Sequence, residues 1–113
     1  YLREFTLTYF APLRESLRTR GLEALREHFE RIYRVEGGKI AVTQTADELR
    51  IEVAASPAIL HMRARGYRVA RMFDETIRTV NAALCEGTAY VSEVRDYDPE
   101  TGRCIQIFRR KPA

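Results

Sequence analysis

Residues 37–53, GGKIAVTQTADELRIEV, decide the fold, because the hydrophobic period changes inside them. Ile40 and Val42, then Leu49, Ile51 and Val53, alternate with polar neighbours such as Arg50 and Glu52. That is the period of two expected of a strand with one buried face. Thr45, Ala46 and Asp47 lie between the two runs as a turn, so the stretch reads as an antiparallel hairpin with one wet face.

Upstream of the glycine pair the period is about 3.6. Leu22, Leu25, Phe29, Ile32 and Tyr33 mark an amphipathic helix that Gly37 and Gly38 stop. Leu2, Phe5, Tyr9, Phe10, Leu13 and Leu17 mark another, with Arg3, Glu4, Arg14, Glu15 and Arg18 between them. Pro12 removes a backbone donor there and so kinks the helix or marks its true start, and Gly21 ends it.

Downstream, Ser56 and Pro57 open a short helix through Arg63, with a capping hydroxyl followed by proline at the first helical position. After Gly66, the residues Val69, Phe73, Ile77, Val80 and Leu84 give the longest clean helical stripe, ending at Gly87. Residues 89–97 and 103–109 then read as strands joined by the turn Asp98-Pro99-Glu100-Thr101-Gly102. The last strand carries Ile105 and Ile107 on one face and Cys104 and Phe108 on the other, the mark of a central strand covered on both faces. The order helix, helix, hairpin thus occurs twice, without a matching sequence repeat. It predicts an α+β domain: a four-stranded antiparallel sheet with helices packed on one face and a ligand cleft between helices and sheet.

With 113 residues, 45% hydrophobic and 31% charged, the chain has room for one domain and one core, and it is too apolar to be disordered. It contains no run of 18 apolar residues and no signal-peptide pattern, so a soluble protein without a membrane partner is expected. The 19 positive and 16 negative residues leave a net charge of +3 on a mixed surface. Two cysteines without ligand spacing fit neither a disulfide framework nor a zinc site, so a reducing cytoplasm is the default location. The chain opens at Tyr1, which leaves upstream residues and partner domains open.

Few residues carry chemistry. His28 and His61 have no ligand-spaced partner, so no metal is expected, and no cofactor motif occurs. Cys104, in the last strand, and Cys85, at the end of the long helix, are candidate nucleophiles, as a base within reach would make either reactive. The helix dipole works against Cys85, since it raises a thiol pKa at a C-terminus. Between Pro57 and Phe73 stand Arg63, Arg65, Arg68 and Arg71 with Gly66 and Tyr67 and no acidic residue. Guanidinium forks on a glycine loop could clamp an anion, although such a run also suits a solvated connection between helices. Nucleic acid is not the expected partner, because Glu93 and Asp96 lie among the strand aromatics and would repel phosphate. Asp74 and Glu75 suit a helix N-terminus, and Asp96 and Asp98 suit a turn. The apolar stripe of the first helix is also a surface on which a second copy could pack to form a homodimer.

The stretch Ser56-Pro57-Ala58-Ile59, then Val80-Asn81, Cys85-Glu86-Gly87 and Tyr97-Asp98-Pro99-Glu100-Thr101-Gly102-Arg103-Cys104, resembles the L-2-amino-thiazoline-4-carboxylic acid hydrolase-like family over the C-terminal half. More distantly it is similar to 4-vinyl reductase type ligand-binding domains. In these families a polar or cysteine residue precedes the proline that opens a helix, and a cysteine sits in the last strand. Ser56 and Cys104 stand in those places, Ser56 where a cysteine would be expected. The resemblance implies a domain that binds a small anionic organic molecule, and either a hydrolase opening a small cyclic amino-acid derivative or a relative that keeps only the pocket. In the first case Cys104, Cys85, His61 and Ser56 are the candidates for nucleophile and base, with Arg63, Arg65, Tyr67 and Arg68 holding the ligand. The alternative is a non-catalytic ligand-sensing or protein-interaction domain.

Overall fold

A computed structural model of the chain describes residues 1–55, 61, 62, 64–66 and 73–112. Three helices precede the first hairpin: α1 (Leu2–Tyr9), α2 (Ala11–Arg20) and α3 (Leu22–Glu36). The hairpin β1 (Ile40–Gln44) and β2 (Glu48–Val53) follows. A further long helix, labelled α4 (Phe73–Cys85), leads into β3 (Tyr90–Arg95) and β4 (Cys104–Arg110).

The stripe expected as one N-terminal helix is therefore two. Pro12 is at the second position of α2 and has no N–H to offer the Thr8 carbonyl four residues back, so the ladder stops and restarts at Phe10. Arg14 N–H donates to the Phe10 carbonyl at 2.9 Å to open the new helix. At the end of α3, Gly37 is left-handed (φ +77°). Gly38 N–H then reaches the Tyr33 carbonyl at 2.8 Å and Gly37 N–H the Arg34 carbonyl at 3.2 Å. This paired closure satisfies the last carbonyls and releases the chain into β1.

All strand pairings are antiparallel and the sheet order is β1-β2-β4-β3. Each hairpin contributes its second strand to the centre. β4 is central, as the two-sided apolar pattern of residues 104–108 implies. Register places Leu49, Ile51 and Val53 opposite Phe108, Gln106 and Cys104. Side chains of α3 and α4 meet β4 at these alternate positions. Phe29 of α3 packs on Phe108 with ring centroids 5.4 Å apart, and Asn81 of α4 donates to Gln106 at 2.7 Å. Leu17, Leu25, Leu49, Ile51, Leu84 and Phe108 form the fully enclosed centre of the core.

The opposite positions of the sheet carry charge. Arg50 pairs with Glu52 at 3.2 Å, Arg95 with Glu93 at 2.9 Å, and Arg109 also bonds Glu93. Among the described residues, no helix is long and apolar enough to cross a membrane. The short helix expected at 57–63 falls largely outside the described residues. Within it His61 and Met62 are helical, and Arg65 N–H donates to the His61 carbonyl at 3.2 Å.

Candidate functional site

An open cleft of about 640 Å³ lies at one end of the sheet rather than along the helices. It forms where β1 begins, β2 ends and β4 begins, because the register brings Ile40 beside Val53 and Val53 beside Cys104. These three residues, with Ile105, give it an apolar lining. Lys39, Glu52, Asp96 and Arg103 supply charge around it. Glu52 is engaged by Arg50, but among the described residues neither Lys39 nor Arg103 has a carboxylate partner. Asp96 holds φ +54°, a left-handed conformation that aspartate tolerates, where the chain leaves β3. The cleft thus sets two cations, unpaired among the described residues, beside the apolar residues of the strand ends, a combination suited to an organic anion.

Cys104 lines this cleft but is almost fully enclosed. Burial pushes its thiol pKa up, with a hydrogen bond from Gln106 and the charge of Arg78 acting in the opposite direction. A weak contact of 3.8 Å joins Gln106 Nε2 to its Sγ. Behind it runs a buried polar network: Asn81 donates to Gln106 Oε1, and Gln106 Nε2 donates to the Tyr33 hydroxyl at 3.2 Å. The Tyr97 hydroxyl is also enclosed and has no hydrogen-bond partner among the described residues. Its ionisation is pushed up by burial first, then by Asp74, Cys104 and Asp98.

Cys85 closes α4 at the other end of β4, near Tyr90 and Lys111. The seven residues of β4 run from Cys104 to Arg110, which pairs with Tyr90 beside Cys85, about 20 Å at the rise of a strand. Burial pushes the Cys85 thiol up to about 12, against the opposing pull of Lys111. Both thiols are free, and neither is held as the thiolate a nucleophile requires. The two candidate nucleophiles are therefore not brought together.

His61, Arg65 and Gly66 are exposed. Ser56, Arg63, Tyr67 and Arg68 lie outside the described residues. Among the described residues no group of three histidine, cysteine or acidic side chains converges on a metal-sized point.

The chain matches no family model, no curated protein and no solved structure. Sequence reasoning gave no role to Lys39, which no motif marks, or to Arg103, which falls inside the stretch 97–104 beside Cys104. It also passed over Asn81 and Gln106 as polar members of the core, although both interrupt apolar runs and could have been found that way.

Proposed function

We propose that this chain is a small-molecule-binding domain whose ligand, a small organic anion, occupies the cleft at the end of the sheet. The observation that carries this is the pairing of Lys39 and Arg103, two cations without a carboxylate partner among the described residues, with the apolar lining that Ile40, Val53 and Ile105 give the strand ends. The resemblance of the C-terminal half to the L-2-amino-thiazoline-4-carboxylic acid hydrolase-like family supports the same reading, since Cys104 falls in the lining. A cyclic amino acid would meet both signs of charge there, its carboxylate facing Lys39 and Arg103 and its cationic nitrogen facing Asp96 or Glu52. Retention of the pocket is favoured over hydrolysis, because both thiols are raised by burial and among the described residues no base has its hydrogen bond on either.

Calorimetric titration with L-2-amino-thiazoline-4-carboxylate tests it. Saturable binding is expected, weakened about tenfold or more in Arg103→Ala and in Lys39→Ala, as for loss of a charged hydrogen bond. Binding that ignores both changes would contradict the assignment. If the ligand is turned over, Cys104→Ser with full activity would remove that thiol from the chemistry. A second copy of the chain is the other proposed partner. Phe5 and Tyr9 on α1, stacked at 5.3 Å and exposed, are the surface it would use, and sedimentation equilibrium of Phe5→Glu against the parent reads it.

A further inference from the structure

A second groove, of about 620 Å³, lies between α2 and α3, on elements that contribute nothing to the cleft at the sheet end. Its walls are Tyr9 and Phe10 from the α1–α2 junction, Leu13 from α2 and Ile32 from α3. His28 lines it too and is only 8% exposed, its ring edge-on to Phe10 at 5.5 Å and to Phe29 at 5.4 Å. Arg31 Nη2 sits 3.4 Å from His28 Nδ1. An arginine can only donate, so Nδ1 is the accepting nitrogen. Burial, and after it the Arg31 charge, lowers the His28 pKa to about 4, so the ring is neutral and its one proton is on Nε2.

That Nε2–H has no hydrogen-bond partner among the described residues, and Arg31 has no carboxylate partner among them. His28 Nε2 is not one of the fully enclosed polar atoms, so in a ring otherwise packed between Phe10 and Phe29 it opens into the groove, where a ligand acceptor can replace water. The acidic residue of the groove, Glu27, is held by Arg20 at 2.8 Å and also feels the charge of Arg31, so among the described residues one acid faces two arginines there and the balance is positive. We infer that the groove between α2 and α3 is a ligand site for a small aromatic carboxylate, with the ring between Tyr9, Phe10 and the aliphatic wall, and the carboxylate taking hydrogen bonds from His28 Nε2 and Arg31. The carboxylate accepts both bonds and the aromatic wall favours a planar ring, which sets the ligand class.

Benzoate is the probe and benzyl alcohol its uncharged control, each titrated into ¹⁵N-labelled protein. Benzoate is expected to give saturable shifts at the amides of Phe10, Leu13, His28 and Ile32, and benzyl alcohol to bind at least about tenfold more weakly. Arg31→Met and His28→Phe should each weaken benzoate by about tenfold or more. Arg31 is exposed, so Arg31→Met keeps the fold even if His28→Phe does not. The unliganded protein supplies an independent reading, because the ring ¹⁵N shifts of His28 must show a neutral Nε2–H tautomer. Absence of saturable benzoate shifts, equal binding of the alcohol, binding indifferent to Arg31→Met, or an Nδ1–H tautomer would each overturn the site.

Discussion

Gly21 joins α2 to α3 at φ +72°, ψ −153°, a conformation open essentially to glycine alone. A Cβ there would also come within 3.0 Å of the Tyr90 hydroxyl. Gly21→Ala is expected to lose about 1–3 kcal/mol in urea unfolding. The buried Asn81 and Gln106 amides are a second such point. Removing one partner leaves the other without its bond, so Gln106→Leu should cost about 1–3 kcal/mol, and a double-mutant cycle with Asn81→Leu should show strong coupling. His28 gives the pH dependence. Its folded pKa is about 4, below the unfolded value of 6.5, so between those values the unfolded chain binds more protons than the folded one. The stability this neutral ring contributes is full above about pH 6.5 and falls as pH drops toward 4, by up to roughly 3 kcal/mol. Glu27, Glu86 and Glu93 are held below the usual carboxylate range by their arginine partners, so their losses come at lower pH. Denaturant midpoints measured from pH 7.5 to 4.5 should show the decline in the parent protein and not in a folded His28→Phe variant.

At the scale of elements, the boundary between α3 and β1 is legible because the glycine pair changes two things at once, the backbone hand and the hydrophobic period. The second hairpin is legible for a similar reason. Asp98 accepts the Glu100 N–H at 2.8 Å through its side chain and the Gly102 N–H at 2.7 Å through its carbonyl, the turn that Asp-Pro and glycine signal. The separation of α1 from α2 is only half legible. Pro12 shows that the ladder must break near Thr8, but a kink and a full stop leave the same apolar stripe from Leu2 to Leu17. Packing of α3 on the sheet rests on Phe29 against Phe108, the latter fully enclosed. Phe108→Ala is expected to cost about 3–5 kcal/mol and to lower the thermal midpoint accordingly.

Across the whole molecule, the two hairpins join through β2 and β4, and that pairing makes the cleft. It explains why the cleft is not legible along the chain. Lys39 and Arg103 are 64 positions apart by their numbers, each following a glycine at the start of a strand, and nothing joins them until Val53 and Cys104 pair. A run such as Arg63 to Arg71 draws attention because it is local, whereas a site built by strand register leaves no local trace. Cys104 is legible as a candidate by its place in the last strand, but its burial beside Gln106 depends on the helices that cover it. The central claim, a ligand cleft at the sheet end, is tested most directly by mapping amide shifts as L-2-amino-thiazoline-4-carboxylate is added to ¹⁵N-labelled protein. Saturable shifts centred on Ile40, Val53, Arg103 and Ile105 are expected. Shifts that do not saturate, or that appear only along α2 and α3, would contradict it.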